Sequence, residues 1–300
     1  MEVQPIVTGD TVLGIGDLAR LTGVPVRTIR FYCDEGILDP PRSAGGHRRF
    51  DRDAVERLET VRRLRGLGLG LAVIADVLAG RRSLADVVTA ERAALDVSLA
   101  ELTWRRASLR AVEEASPAAR DARLALLAGA QDGRAVRESL TSFWSRCYLG
   151  PAPPDTVEMF LSVSAPPPPA DPTPAQVLAY AEMAVLTADL SLRRRLAARH
   201  RVPDERALHD GVGRACVLAR PLVRAERPPE PGPALDLFVA AHAAVWDARD
   251  TPSFRRTLLG RTEVERDPRL RRYWALVGTV TGEDVSVGAA YSWLLDALAA

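Results

Sequence analysis

The chain has 300 residues, 47% of them apolar, and its 40 basic and 39 acidic side chains leave a formal charge of +1. That length allows a sizeable core and two or more domains, while the near-neutral balance announces no nucleic-acid partner, so the distribution of charge has to decide. Three widely spaced cysteines, Cys33, Cys147 and Cys216, argue against a disulfide framework, and the absence of a long apolar run or of a basic, apolar leader in "MEVQPIVTGD" leads us to expect a cytoplasmic protein with no membrane partner. Every basic residue is Arg, so each cation carries a planar fork suited to phosphates and guanine edges.

In "GIGDLARLTGVPVRTIRFYCDEGIL" the apolar positions predict two short helices joined by a tight turn at Thr22 and Gly23. Pro25 suits the first turn of the second helix and Gly36 its stop. Arg27, Thr28 and Arg30 lie on that second helix, where a helix-turn-helix would place them in a major groove. In the following "LDPPRSAGGHRRFDRD", Pro40 and Pro41 exclude helix and Gly45-Gly46 permits reversal, which predicts a small β hairpin or wing. Around its turn stand Arg42, His47, Arg48 and Arg49, and residues 42–65 hold eight arginines against four acids. A basic loop beside a helix-turn-helix reads as a phosphate clamp.

The ordered run of "TIRFY", "GILDPPR", "GHRRF" and "RRLRGLGLGLAVIADVL", from about Leu13 to Leu78, resembles the DNA-binding domain of the MerR family of transcription regulators. The resemblance implies that Arg27, Thr28, Arg30 and Tyr32 face DNA and that Arg42 and Arg48 hold its backbone from the wing. It also implies promoter DNA and RNA polymerase as partners. Two positions depart from the family pattern, His47 where Tyr is usual and Cys33 where an acid is usual.

From Ser83 the residues Val88, Leu95, Leu102 and Leu109 recur every seven, with Leu84, Leu99 and Val112 between them, and Pro117 ends the pattern. This predicts one long amphipathic helix. Its place directly after a MerR-like head makes a coiled-coil homodimer the expectation, each head reading half of an inverted repeat.

Beyond residue 119 the chain carries Ala-rich helical stretches near 174–199, 204–225, 233–248, 252–260, 268–280 and 284–299, with a Pro-rich loop at 150–174 and little period-two alternation. Val136, Leu140, Phe143, Trp144, Cys147 and Tyr148 share one helical face. Phe143, Trp144, Tyr148, Trp246, Tyr273 and Trp274 are candidates to line an apolar effector pocket, with Glu158, Asp247 or Asp250 to orient a cationic ligand. Cys147 reads as a buried filler rather than a redox sensor. The histidines lack metal-ligand spacing and no nucleophile elbow, P-loop or dinucleotide fingerprint occurs, so neither a metal, a cofactor nor an enzyme is expected.

The sequence therefore predicts a mainly α protein. Residues 1–82 form a winged helix-turn-helix head with a small β wing, 83–118 a coiled-coil dimerisation helix, and 119–300 an all-helical effector-binding domain. The expected function is a homodimeric DNA-binding transcription regulator, switched by a small-molecule effector that distorts DNA; an effector-independent repressor or architectural protein is the alternative.

Overall fold

The computed structural model describes residues 12–41, 48–149, 152–199 and 202–300. The chain divides into two compact units, Met1–Val97 and Ser98–Ala300.

In the first unit, helices α1 (Ile15–Thr22) and α2 (Val26–Asp34) flank Gly23, whose φ of 67° is the left-handed conformation that ends α1. Pro25 stands one residue before the predicted first turn, as the N-cap of α2, where its carbonyl accepts from the Thr28 and Ile29 amides. Gly36 repeats the left-handed stop after α2, with φ 70°. Helix α3 (Arg52–Gly66) starts at Asp51, whose carboxylate accepts from the Ala54 amide at 2.9 Å. Helix α4 (Leu71–Leu78) follows, and Leu18, Ile29, Leu58, Val61 and Ile74 are fully buried where these elements meet.

The small β wing expected after α2 is not found as paired strands among the described residues. An antiparallel bridge joins Leu13 and Phe50 through bonds of 2.7 and 2.9 Å. It cannot lengthen, because Gly14 already caps α1 and Asp51 already caps α3, and on either side of residues 42–47 the Arg49 amide donates to the Pro41 carbonyl at 2.9 Å. The predicted turn itself, residues 42–47 with Arg42 and His47, lies outside the described residues.

Helix α5 (Leu84–Glu113) is the predicted long helix. It contributes Val87 to the first unit's core and Trp104, Ala107 and Ala111 to the second's.

Among its described residues the second unit contains helices and connecting turns and no strand. A 3₁₀ turn (Pro117–Ala119) leads into α6 (Arg120–Ala128), and α7 (Gly133–Trp144) widens into a π turn (Ser145–Leu149). Then come α8 (Pro154–Ser164), α9 (Pro174–Ala188), α10 (Leu190–Ala197) and α11 (Glu205–Arg224). The chain ends with α12 (Pro233–Val245), α13 (Pro252–Arg261), a 3₁₀ stretch (Glu263–Arg266), α14 (Pro268–Thr281) and α15 (Val287–Ala299). The Pro-rich segment 150–174, expected as a loop, contains the eleven-residue α8. Proline there starts a helix instead of preventing one, since the first helical position has no amide to lose. The same device opens α9, α12, α13 and α14.

Two apolar clusters fill this unit. One gathers around Trp144, Tyr180 and Tyr273, the other around Phe238, Leu258 and Leu294. In the first, Trp144 donates from Nε1 to the Tyr273 hydroxyl at 2.9 Å and meets the rings of Phe143, Tyr148, Phe160, Tyr273 and Trp274 within 5.7 Å.

Candidate functional site

Two places in the molecule gather chemistry, one in each unit. In the head, α2 presents Arg27 and Arg30 to solvent and Thr28 half-exposed, while Ile29 turns into the core. Tyr32 follows Ile29 by three residues and therefore shares its inward face. It is 9% exposed, and the solvent-facing aromatic ring is Phe31, at 47%. The expectation that Tyr32 faces DNA thus does not match its position, and Phe31 was missed because adjacent aromatics cannot be ranked without knowing the helix's rotation.

Arg48 and Arg49 follow residues 42–47. Arg49 is exposed, whereas Arg48 donates from Nη2 to Asp34 Oδ1 at 2.8 Å, tying this segment to the end of α2. The remaining arginines of the basic stretch divide by role. Arg62 caps the α1 turn by donating to the Thr22 carbonyl at 2.5 Å, and Arg65 donates to the Leu69 carbonyl at 2.9 Å. Arg63 pairs with Glu59 along α3 and Arg52 with Glu56. Local charge density in the sequence therefore exceeds what is left for a clamp, because five of the seven described arginines in this stretch are engaged within the head. Among the described residues of α2 and this stretch, what remains exposed without an ion pair is Arg27 and Arg30 on α2 with Arg49 and Arg57 from the stretch, a helix face plus two flanking cations, which suits a groove edge and its phosphates.

The predicted dimer residues sit on one exposed stripe of α5. Leu95, Leu102 and Leu109, with Leu99 among them, are 59–63% exposed and Val88 is 41% exposed.

In the second unit a cavity of about 270 Å³ opens between the two apolar clusters. Of the six aromatic candidates, Trp144, Tyr148, Trp246 and Trp274 line it. Phe143 and Tyr273 do not. Both are buried behind the wall, where the Tyr273 hydroxyl donates to the Ser164 carbonyl and accepts from Trp144. Glu158, Asp247 and Asp250 stand at the surface away from the lining, and Asp250 is taken by Arg255 at 2.7 Å.

The polar groups that do line the cavity were not foreseen. Glu265 projects from the 3₁₀ stretch between α13 and α14 and accepts from the hydroxyls of Tyr148 (3.4 Å) and Tyr291. Burial pushes its carboxyl above the usual range, opposed by the two phenols and by Arg199. Arg199 donates to Glu205 at 2.8 Å and to the Tyr148 carbonyl at 2.7 Å, with its guanidinium 4.0 Å from the Tyr148 ring centre. His209 and His242 complete this wall. Burial lowers the pKa of both, that of His242 to about 4, so both are neutral at physiological pH. In sequence Glu265 stands with Glu263, Arg266 and Asp267 in a short charged run between two Pro-opened helices, which looks like a solvated linker, so it carried no signal. Cys147 packs beside this region on the π turn, and burial raises its thiol pKa, leaving the unreactive thiol form at neutral pH.

Comparison with known proteins adds to the head alone. The family described as MerR HTH family regulatory protein matches residues 13–81. Nodulation protein NolA of Bradyrhizobium sp. (strain NC92) is 40% identical over 97 residues, covering 32% of this chain and 41% of the relative. NolA of Bradyrhizobium elkanii is 38% identical over 97 residues, 32% of this chain and 44% of its own. The HTH-type transcriptional regulator HmrR of Rhizobium leguminosarum bv. viciae is 34% identical over 67 residues, 22% of this chain and 52% of its own. The match thus spans about half or less of each of these relatives. No solved structure matches the chain. The helix pair, its glycine stops and the match together show that residues 13–81 are a helix-turn-helix domain of the MerR regulatory family.

Proposed function

We propose that the protein is a homodimeric, DNA-binding transcription regulator that reads an inverted-repeat promoter site and is switched by a small molecule held in the second unit. The exposed Arg27 and Arg30 on the second helix of a MerR-type helix-turn-helix carry this reading. In such a motif that helix enters the major groove, so these side chains reach base edges and phosphates, with Arg49 placed for a flanking phosphate. The exposed leucine stripe of α5 supports a dimer, because four leucines on one helix face stay in water unless a second helix covers them. Two heads then match a two-fold related site and gain affinity through joint engagement. The aromatic cavity supports an effector, since a concave, largely apolar space with a few converging polar groups is the usual form of a ligand site. Differential affinity of that effector for two states of the dimer would bias a DNA distortion that RNA polymerase reads.

Selection of bound duplexes from a random pool, followed by footprinting and sedimentation of the complex, tests the reading. An inverted repeat protected by two copies of the chain is the expected result. Binding without sequence preference, or by single copies, would reject it.

A further inference from the structure

The cavity's polar wall is biased toward one hydrogen-bonding role. Glu265 offers carboxylate oxygens that accept one phenol bond each, from Tyr148 and Tyr291, and each oxygen keeps a further lone pair. His209 and His242 both face a backbone carbonyl through Nδ1, of Glu205 at 2.6 Å and of Phe238 at 2.9 Å. A carbonyl only accepts, so in each neutral ring the proton sits on Nδ1 and Nε2 is an acceptor. Neither Nε2 has a hydrogen-bond partner among the described residues. The hydroxyls nearby already donate: Tyr148 and Tyr291 to Glu265, Thr262 to the Leu258 carbonyl.

Charge points the same way. The charged groups acting on Glu265 are Arg199 and Glu205, and Arg199 is held by Glu205 at 2.8 Å. Two carboxyl groups thus share one guanidinium at this end of the cavity. Of the other arginines on the wall, Arg220 stands opposite Glu283 at 3.7 Å, and Arg261, which has no carboxylate partner among the described residues, lies over the Trp246 ring at 4.1 Å. Around the acceptors stand the rings of Tyr148, Phe160, Trp274 and Tyr291, whose π faces attract cations.

We infer that the cavity takes an apolar molecule bearing one protonated nitrogen, an amine or amidine, which seats its N–H donors on Glu265 among these rings. The inference rests on the second unit's cavity being the effector site and names the chemical class that site admits. Binding then favours the ionised form of Glu265, so affinity for the cation rises with pH as that carboxyl ionises. The groups facing Glu265 leave this dependence readable. Tyr148 and Tyr291 are pushed far above their ordinary range, Cys216 is pushed up to about 12, Arg199 stays charged, and Glu205 is held by Arg199. His209 and His242 are lowered, so their remaining protonation falls toward the acid side.

The test uses the full chain and four matched probes: 4-phenylbutylamine, its trimethylammonium analogue, 4-phenylbutanol and 4-phenylbutyrate, titrated against tryptophan fluorescence. The amine should bind about tenfold or more tightly than the alcohol and the carboxylate. The trimethylammonium analogue, with charge but no N–H, should fall between. Glu265→Gln should abolish the amine's advantage while leaving alcohol binding unchanged. If that variant does not fold, a pH series on the unaltered protein decides. Amine affinity rising more than about threefold from about pH 5.5 to 8, with the alcohol flat, supports the inference. A flat amine profile overturns it, as does a rise that persists in a folded Glu265→Gln protein, which would assign the titration to His209. If the alcohol or carboxylate binds as well as the amine and alters promoter binding, the ligand class is wrong and the effector reading stands. If none of the four binds, the inference falls, while DNA binding by the head is measured independently.

Discussion

Arg27 and Arg30 stand one helical turn apart on the solvent side of α2, and their neighbours Ile29 and Tyr32 anchor the opposite side in the core. The helix therefore cannot rotate to offer different residues to a groove without unburying an aromatic ring. Substituting Arg27 by Ala should cost about 1–3 kcal/mol of binding to the selected site and relax base preference at one position of each half-site. Arg49→Ala should instead weaken all duplexes alike and reduce the salt slope by about one. Anisotropy titrations over a salt series with selected and scrambled duplexes separate the two, and equal losses on both duplexes for Arg27→Ala would place that residue on the backbone. A second residue-scale consequence concerns acid. His242 is buried with its pKa lowered from 6.5 to about 4, so between those values the unfolded chain binds a proton that the folded chain refuses. Its contribution to stability is complete above the unfolded value and declines as pH falls toward the folded one. From about pH 6.5 to 5 that decline is about 2 kcal/mol. A His242→Gln protein should show a correspondingly shallower loss in denaturant melts over the same interval. Parallel profiles for the two proteins would show that His242 titrates normally.

At the scale of elements, α5 and the pairing of α14 with α15 make the sharpest demands. Leu95 and Leu102 lie one heptad apart on the same exposed stripe, so Glu at both should place repelling charges in the proposed seam. Sedimentation should then report monomers, and affinity for the two-half site should fall about a hundredfold through lost joint engagement, with single half-site binding retained. A dimer that survives both changes would move the interface elsewhere. Gly288, at the start of α15, lets the Trp274 ring lie against the backbone: a methyl there would overlap the Trp274 ring. Trp274 is stacked on Trp144 with 5.4 Å between ring centres, so it can yield only by shifting into the cavity that it lines. Gly288→Ala should therefore cost about 1–3 kcal/mol and change the tryptophan emission, and an unchanged melt would mean that the ring moves into the cavity without penalty. Much of this element plan was legible in the sequence, because period and punctuation are local. The heptads marked α5, and the glycines at 23 and 36 marked both stops of the helix pair. Helix α8 was hidden because flanking prolines read as loop when no long apolar face accompanies them. The site was only partly legible. Trp144, Tyr148, Trp246 and Trp274 line the cavity, whereas Phe143 and Tyr273 have the same composition and lie behind it. Which side of a packed aromatic is left open depends on tertiary neighbours, and so does the convergence of Tyr148, Arg199, Glu265 and Tyr291 from four distant segments.

At the scale of the whole molecule, the boundary between head and C-terminal part falls inside α5, not after it. The helix's outer stripe carries the exposed leucines, while Trp104, Ala107 and Ala111 on its other side are built into the second unit. Trp104 donates from Nε1 to the Ala130 carbonyl at 2.9 Å and meets Tyr180 edge-on at 5.5 Å. Its ring lies so close to the start of α7 that a methyl at Gly133 would come within 2.7 Å of it. Thr103 donates to the Ala170 carbonyl, and Arg123 reaches back to the Ala111 carbonyl. A change of packing in the second unit, such as closure around a ligand, therefore acts directly on the helix that carries the proposed dimer seam. It also fixes where the chain can be cut. A fragment of residues 98–300 keeps every one of these contacts and should unfold as a cooperative unit. One of residues 119–300 loses Trp104, a change worth about 3–5 kcal/mol when such a ring is truncated to Ala, and the two buried alanines besides. Against a total stability of about 5–15 kcal/mol, that loss is enough to leave the shorter fragment partly unfolded at 25 °C. Denaturant titrations followed by near-UV circular dichroism distinguish the cases: a steep single transition for 98–300 and a shallow or absent one for 119–300. Equal transitions for the two would mean that the helix 84–113 is an outrigger of the second unit and that its inward face contributes little to holding the cavity's walls together.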